Sequence, residues 1–206
     1  MEIVSARLLD WGVASLPIPG QAGSGDGHLV HVAPWGALVA VVDGVGHGSE
    51  AATATRIALD VLERHAQDPL PSLLGRCHER LRRTRGVALS MSAFRPTEGA
   101  MTWLGVGNVT GVLVRATPRA ASRVESLVPR AGLVGDQQLH QITASATPVA
   151  AGDTLIFATD GIRSDFADSQ SLSHAPREIA ERVLARHGKG TDDALVLVAR
   201  YLGGSG

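Results

Sequence analysis

Residues 37–48 read Ala-Leu-Val-Ala-Val-Val-Asp-Gly-Val-Gly-His-Gly, a continuous apolar run that stops at an aspartate followed by glycines. An apolar run of this length is typical of a strand buried on both faces, so we predict a strand over Ala37–Val42. Apolar residues at helical spacing then predict a helix over Ser49–His65. The strand therefore places Asp43 just before a helix, on a loop whose glycines let a ligand approach closely.

The rest of the chain alternates between strand-like and helix-like segments, with no internal repeat and no long linker. The predicted strands are Leu29–Pro34, Ala37–Val42, Val87–Arg95, Ala100–Val106, Thr110–Ala116, Ser122–Val128, Gln138–Ala146, Asp153–Thr159 and Ala194–Tyr201, and the predicted helices are Ser49–His65, Pro71–Arg83 and Pro176–His187. Strands outnumber helices, which favours an α+β fold in which two packed antiparallel β-sheets, a β-sandwich, are flanked by α-helices. We expect a single domain over residues 1–206.

Composition and charge exclude several classes of function. A formal net charge of −1 on 206 residues gives no broad positive field, so we expect no nucleic-acid partner. The single cysteine, Cys77, can form neither an internal disulfide nor a thiolate zinc site. The N-terminus lacks the pattern of a signal peptide, and no apolar run approaches the roughly 20 residues of a membrane helix. We therefore expect a cytoplasmic protein with no membrane partner, and we expect a monomer.

Acidic residues recur at the edges of the apolar strands. They are Asp26, Asp43, Asp160 and the pair Asp192 and Asp193. Carboxylates that converge repel one another unless a cation lies between them, and Mg²⁺ and Mn²⁺ prefer such oxygen-rich sites. Two ions about 3.5–4 Å apart can activate one water and clamp a phosphate. An Asp-Gly alone usually marks only a turn, but four acidic sites in one context predict a hydrolytic metal site.

Five short motifs occur in the order found in a known family. They are Ser24-Gly25-Asp26, residues 42–48 (Val-Asp-Gly-Val-Gly-His-Gly), residues 105–108 (Gly-Val-Gly-Asn), residues 159–162 (Thr-Asp-Gly-Ile) and residues 191–194 (Thr-Asp-Asp-Ala). Over about residues 10–201 the chain resembles the metal-dependent protein phosphatases (PPM, the protein phosphatase 2C type), in particular their bacterial SpoIIE-like branch. Its short length, without a sensory domain, is similar to the RsbX-type feedback phosphatases of the stressosome.

The resemblance implies a phosphatase for phosphoserine and phosphothreonine in proteins, dependent on two divalent cations, Mn²⁺ or Mg²⁺. By the family pattern, Asp43 bridges both metals and the carbonyl of Gly44 helps to hold one of them. Asp160 and Asp192 complete one metal site, and Asp26 serves the other. The partners implied are phosphorylated STAS-domain scaffold proteins of the RsbS and RsbR kind, attacked by an activated water without a covalent phosphoenzyme.

Several residues near the motifs have competing interpretations. We expect Asp193 to support the site rather than to bind a metal. For His47 we favour a role in ordering the loop or supporting the site over a role in proton transfer. We expect Asn108 to cap a tight bend rather than to hydrogen-bond within the cleft. The arginines within residues 80–85 are interpreted as a solvated helix face rather than a surface for an acidic partner.

Two departures and two alternatives remain open at this stage. The stretch before Asp26 carries neither the Arg nor the Glu of the eukaryotic branch, so how the substrate phosphate is held is left open. In the last motif, Leu195 stands where Thr is usual. Residues 43–48 also resemble the nucleotide lid of GHKL ATP-binding kinases, but only loops and two short strands precede them. A catalytically silent pseudophosphatase is the second alternative, opposed by the presence of all four expected carboxylates.

Overall fold

The computed structural model describes residues 8–18, 23–119, 122–136, 142–169 and 173–203. The strands are β1 (Leu9–Leu16), β2 (Asp26–Ala33), β3 (Gly36–Gly44), β4 (Val87–Arg95), β5 (Ala100–Val106), β6 (Thr110–Arg119), β7 (Ser122–Leu127), β8 (Ser145–Pro148), β9 (Thr154–Ala158) and β10 (Ala194–Tyr201). The helices are α1 (Ser49–Arg64), α2 (Leu70–Leu81) and α3 (Pro176–His187), with short 3-10 helices at Pro96–Glu98 and Ser164–Ser169.

The strands form two five-stranded antiparallel sheets that pack face to face. Their strand orders are β1-β10-β9-β6-β7 and β2-β3-β4-β5-β8. Buried clusters place α1 and α2 on the outer face of the second sheet and α3 on the outer face of the first. The layers therefore run α-β-β-α, which confirms the predicted β-sandwich flanked by helices.

Strand β3 shows why its sequence is apolar without interruption. Leu38, Ala40 and Val42 belong to the cluster under α1 and α2, whereas Ala37, Val39 and Val41 belong to the cluster between the sheets. Side chains alternate between the faces of a strand, so a strand buried on both faces must be apolar at every position. The prediction of a doubly buried strand is confirmed.

Helix α1 begins directly after the glycine-rich loop. Its buried residues recur three or four positions apart, at Ala51, Ala54, Ala58, Val61 and Leu62, so one face packs on the second sheet. An acidic residue, Glu50, lies in its first turn, where the helix dipole favours negative charge. None of the helices within the described ranges is long and apolar enough to cross a membrane.

Two predicted strand boundaries are wrong close to the acidic residues. β2 begins at Asp26 rather than Leu29, and β3 runs through Asp43 to Gly44 rather than ending at Val42. The glycines around these positions suggested loops. Main-chain pairing between the two strands extends the ladder over them, and Asp26 lies directly opposite Asp43.

Three further elements differ from the prediction. Strand β1 was missed because only part of its surface is buried, and its assignment depends on pairing along its length with β10. Residues 138–141 of the predicted strand Gln138–Ala146 lie outside the described residues, and the strand present, β8, is displaced to Ser145–Pro148. There it pairs with β5 at a sheet edge, where proline is tolerated. α2 covers Leu70–Leu81 rather than Pro71–Arg83.

Candidate metal centre

The two sheets bring the predicted carboxylates to one end of the sandwich. Asp26 and Asp43 are cross-strand partners at the ends of β2 and β3. Asp160 follows β9 and Asp192 precedes β10, and these strands are antiparallel neighbours in the other sheet. Because the end of one antiparallel strand lies beside the start of its neighbour, each sheet contributes two of these four acidic positions.

The hydroxyl of Thr159 forms hydrogen bonds across the two sheets at this end of the sandwich. It donates a hydrogen bond to Oδ2 of Asp26 at 2.7 Å and accepts one from the backbone N–H of Leu195 at 2.9 Å. The hydroxyl therefore connects β10 of one sheet with β2 of the other. Sequence reasoning missed Thr159 as a site residue, because its importance depends on a contact across 133 positions of the chain.

Asn108 lies within the acidic cluster. Its Nδ2 donates to Oδ2 of Asp160 at 2.7 Å. The expectation that Asn108 only caps a bend is therefore wrong. The neighbouring Gly107 makes the turn with a φ of +92°, so the asparagine side chain is free to enter the cleft.

Asp193 braces the segment that leads into β2. Its side-chain oxygens accept hydrogen bonds from the backbone N–H of Ile18 at 2.8 Å and of Gly25 at 2.6 Å. The carbonyl of Gly25 in turn accepts from the N–H of Gly44 and from the hydroxyl of Thr55. Both oxygens of Asp193 thus already have main-chain donors, which supports the prediction of a supporting rather than a ligating role.

Burial and mutual repulsion perturb the paired carboxyls. Burial, together with the nearby carboxylates, raises the pKa of Asp43 to about 8. Burial raises the pKa of Asp26 to about 7. The hydrogen bond from Thr159 acts in the opposite direction, and repulsion from neighbouring carboxylates raises the pKa further. Within the described part of the chain, no ion pair to Lys, Arg or His involves the carboxylates of the site. The charge of the cluster is therefore uncompensated by side chains.

The donor set fits hard divalent cations. All the groups are oxygen donors, which Mg²⁺ and Mn²⁺ prefer, and their repulsion is the kind that a cation relieves. In the described ranges no group of three or more His, Cys, Asp or Glu side chains is arranged to hold one ion. Mg²⁺ keeps several water ligands and needs only one or two carboxylates, so this set of oxygen donors is still suited to Mg²⁺. Ligation by the predicted residues stays a prediction.

His47 is exposed on the loop between β3 and α1. It takes part in no hydrogen bond or ion pair among the residues that the structure describes. This arrangement gives no support to a role in proton transfer. Its predicted part in ordering the loop stays a prediction.

Comparison with known proteins identifies the family. Residues 34–202 match the family of Stage II sporulation protein E (SpoIIE), which is more than half of the chain. The chain belongs to the SpoIIE family. This SpoIIE-family chain is 29% identical over 140 residues to the phosphoserine phosphatase RsbX of Bacillus subtilis (strain 168), a match that covers 66% of this chain and 68% of RsbX.

Solved structures agree with this assignment. One from work on the bacterial stressosome, as a modular system adapted to control secondary messenger signaling, has a TM-score of 0.84 at 26% identity and covers 94% of this chain and 100% of its own. RsbX in complex with magnesium has a TM-score of 0.81 at 21% identity, covering 94% and 95%. The PP2C phosphatase domain of Bacillus subtilis SpoIIE has a TM-score of 0.72 at 21% identity, covering 95% and 64%. This SpoIIE-family chain is a serine/threonine phosphatase of the PP2C type, which confirms the resemblance.

Proposed function

We propose that this chain is a metal-dependent phosphoserine and phosphothreonine protein phosphatase of the RsbX kind. Its proposed substrates are phosphorylated STAS-domain proteins resembling RsbS and RsbR, and it acts as a cytoplasmic monomer with one catalytic domain. The observation that carries the proposal is the meeting of four acidic positions from both sheets, with no basic side chain paired to them in the described residues. The similarity to RsbX and to a stressosome-related structure supports the substrate class.

In this proposal the acidic residues hold two divalent cations, Mn²⁺ or Mg²⁺. Asp43 would be shared by both ions with help from the Gly44 carbonyl, Asp160 and Asp192 would complete one site, and Asp26 would serve the other. When bound, the ions supply Lewis acidity that polarises a phosphoryl group and lowers the pKa of a water.

The residues around the carboxylates have their own tasks. Thr159 holds Asp26 through its hydroxyl, and Asn108 orients Asp160. Both contacts keep the carboxylates in place for the substrate, since a ligand set must be positioned by its neighbours. Asp193 keeps the segment before β2 against the site.

The reaction proposed is direct hydrolysis, in which the phosphoryl group passes to water and the serine or threonine hydroxyl is released. The one cysteine does not offer a nucleophile, because Cys77 lies on the buried face of α2 and burial raises the pKa of its thiol to about 12. A thiolate is the reactive form of cysteine, so a phosphocysteine route is disfavoured.

The decisive assay is hydrolysis of p-nitrophenyl phosphate with Mn²⁺ or Mg²⁺. We expect turnover that EDTA abolishes, and a loss of roughly 100-fold or more in Asp43→Asn, since the bridging ligand is removed. Asp60→Asn, which changes a half-exposed carboxylate of α1 paired with Arg64, is the matched control and should keep the wild-type rate. Absence of metal-dependent turnover in the wild type would favour the pseudophosphatase alternative, and full activity in Asp43→Asn would show that the site is elsewhere.

Substrate class is tested separately, with purified phosphorylated STAS-domain proteins. We expect release of inorganic phosphate from these proteins that again requires the metal. Hydrolysis of p-nitrophenyl phosphate without release from any phosphorylated STAS-domain protein would keep the phosphatase activity and reject the proposed substrates.

A further inference from the structure

Arg85 lies against the loop that follows Asp43. A Cβ built on Gly46 would come within 2.9 Å of the Nη1 atom of Arg85, and Gly46 has a φ of +85°. The N–H of Val45 donates to the carbonyl of Gly86 at 3.1 Å, so main-chain pairing ties the loop to the segment that carries Arg85. Because Gly46 has no side chain, the guanidinium of Arg85 can lie directly against the backbone of this loop.

An ion pair with Glu50 holds this guanidinium. Nε of Arg85 lies 2.6 Å from Oε2 of Glu50, in the first turn of α1. Glu50 is the only carboxylate within ion-pair distance of Arg85 among the described residues. The two side chains are 57% and 67% exposed, and an ion pair so exposed contributes little to stability. An incoming anion can therefore join or replace Glu50 at small cost, because a guanidinium carries five N–H donors.

An open groove of about 560 Å³ runs beside this ion pair. It is lined by Ser49, Glu50, Thr53, Arg83, Thr84 and Arg85. Two arginines on the groove contrast with the acidic cluster at the ends of the strands. The two arginines outnumber the single carboxylate of Glu50 there, so a negatively charged segment of a substrate is attracted to this groove.

We propose that Arg85 sets substrate specificity by binding an acidic residue that flanks the phosphoserine of the protein substrate. The inference rests on the proposed function and names the substrate feature recognised beside the same site. Gly46 is three residues from Asp43, and three residues span at most about 11 Å. A side chain two or three positions from the phosphoserine reaches Arg85 while the phosphate lies at Asp43.

This assignment revises the interpretation of the arginines within residues 80–85. Helix α2 ends at Leu81, so Arg85 lies beyond the helix and its side chain turns to the loop beside the site. The solvated-face interpretation suits Arg82, which is 61% exposed beside Glu79 of the same helix. It does not describe Arg85.

The test compares two synthetic phosphoserine peptides that differ only in carrying Asp or Asn at the positions flanking the phosphoserine. With wild type we expect kcat/KM to favour the acidic peptide by roughly two- to fivefold, and this preference should fall as NaCl is added. Arg85→Ala should bring the ratio close to one, and Arg85→Lys should give an intermediate ratio. Arg76→Ala in α2 is the matched control, because Arg76 is also exposed and forms an ion pair at 2.9 Å, with Asp68. The wild-type ratio should persist in this variant.

The inference is overturned if wild type shows no preference, or if Arg85→Ala keeps the wild-type ratio. Failure of the proposed function is seen separately, as absence of metal-dependent hydrolysis of p-nitrophenyl phosphate by wild type. In that event the binding of a fluorescent acidic phosphopeptide, measured by anisotropy in EDTA, decides the matter. Equal affinity for wild type and Arg85→Ala would contradict a role for Arg85, and weaker binding by Arg85→Ala alone would support it.

Discussion

At the scale of single residues, the paired carboxyls link the stability of the metal-free fold to pH. The pKa of Asp43 is about 8 and that of Asp26 about 7, above the ordinary value of 3.8. Between pH 3.8, where these carboxyls titrate in the unfolded chain, and pH 7 to 8, where they titrate in the folded chain, the folded chain binds more protons. The free energy of unfolding therefore falls as pH rises. We expect a fall between pH 5 and 8 of at most about 1.4 kcal/mol per pH unit for each carboxyl, measured by urea unfolding in EDTA.

The Asp43→Asn variant isolates this effect. Its free energy of unfolding should fall less steeply with pH than that of Asp60→Asn, which keeps both carboxyls of the pair. Saturating Mn²⁺ should flatten the pH dependence of the wild type, since a cation replaces the protons. Identical pH slopes for Asp43→Asn and Asp60→Asn would contradict the assignment of the raised pKa.

Replacing Thr159 should affect both the stability of the fold and the affinity for Mn²⁺. Thr159→Val keeps the shape of the side chain but removes the hydrogen bonds to Asp26 and from Leu195. We expect a loss of about 1–3 kcal/mol in stability, because the buried N–H of Leu195 loses a partner, and roughly a tenfold loss in Mn²⁺ affinity. Urea unfolding and calorimetric titration with Mn²⁺ measure the two effects.

Thr154 provides a control from the first position of β9. Its hydroxyl is buried and donates to the carbonyl of Gly152, within a turn away from the acidic cluster. Thr154→Val should reduce stability without changing Mn²⁺ affinity. Equal Mn²⁺ affinity in Thr159→Val and wild type would show that Thr159 does not position a ligand.

At the scale of elements, α3 packs on β1 at a point where only glycine fits. A Cβ on Gly12 would lie 2.3 Å from Cα and 2.4 Å from N of Arg177, at the start of α3. Backbone atoms cannot give way as a flexible side chain can, so Gly12→Ala must displace the helix from the sheet. We expect a loss of about 1–3 kcal/mol, measured by urea unfolding.

A glycine-to-alanine substitution in α2 should instead increase the stability of the fold. A Cβ on Gly75 meets nothing within 4 Å, and alanine is the better helix former. Gly75→Ala should therefore stabilise the fold by about 0.5–1 kcal/mol. A Gly12→Ala protein as stable as wild type would show that α3 tolerates displacement from β1.

At the scale of the whole molecule, a buried arginine ties the two sheets together away from the acidic cluster. Arg115 of β6 is 2% exposed and pairs with Glu125 of β7 and with Asp153, the residue before β9. Its Nη1 also donates to the carbonyl of Pro148 in β8, which belongs to the other sheet. Asp153 accepts further hydrogen bonds from backbone N–H groups, so its charge is well solvated by the protein.

Removing this arginine should affect stability more than any other change proposed above. Arg115→Met leaves the buried Asp153 without its cation, so we expect a loss of about 3–5 kcal/mol in urea unfolding. Arg123→Met changes an exposed arginine of the neighbouring strand β7 and should stay within about 0.5 kcal/mol of wild type. Equal stability of the two variants would mean that the link between the sheets contributes little.

Sequence-based predictions agree with the structure where an element is defined by residues close together in the chain, and fail where it depends on a distant partner. β4, β5, α1, α3 and β10 were predicted with correct or nearly correct bounds, because the apolar pattern that defines each lies within its own residues. The acidic position at the end of each strand could be recognised in the same way. β1 was missed because its partner, β10, lies about 180 residues away in the chain.

By itself the sequence determined the layered α+β class, the doubly buried β3 and the order of the acidic motifs, since all three are local patterns of side chains. Only the tertiary structure placed Asp26 opposite Asp43 and brought Thr159 and Asn108 into contact with the carboxylates. The tertiary structure also placed Arg85 over Gly46. The reason is that these contacts join residues of different strands and loops, whose meeting depends on strand register and sheet packing rather than on any local pattern.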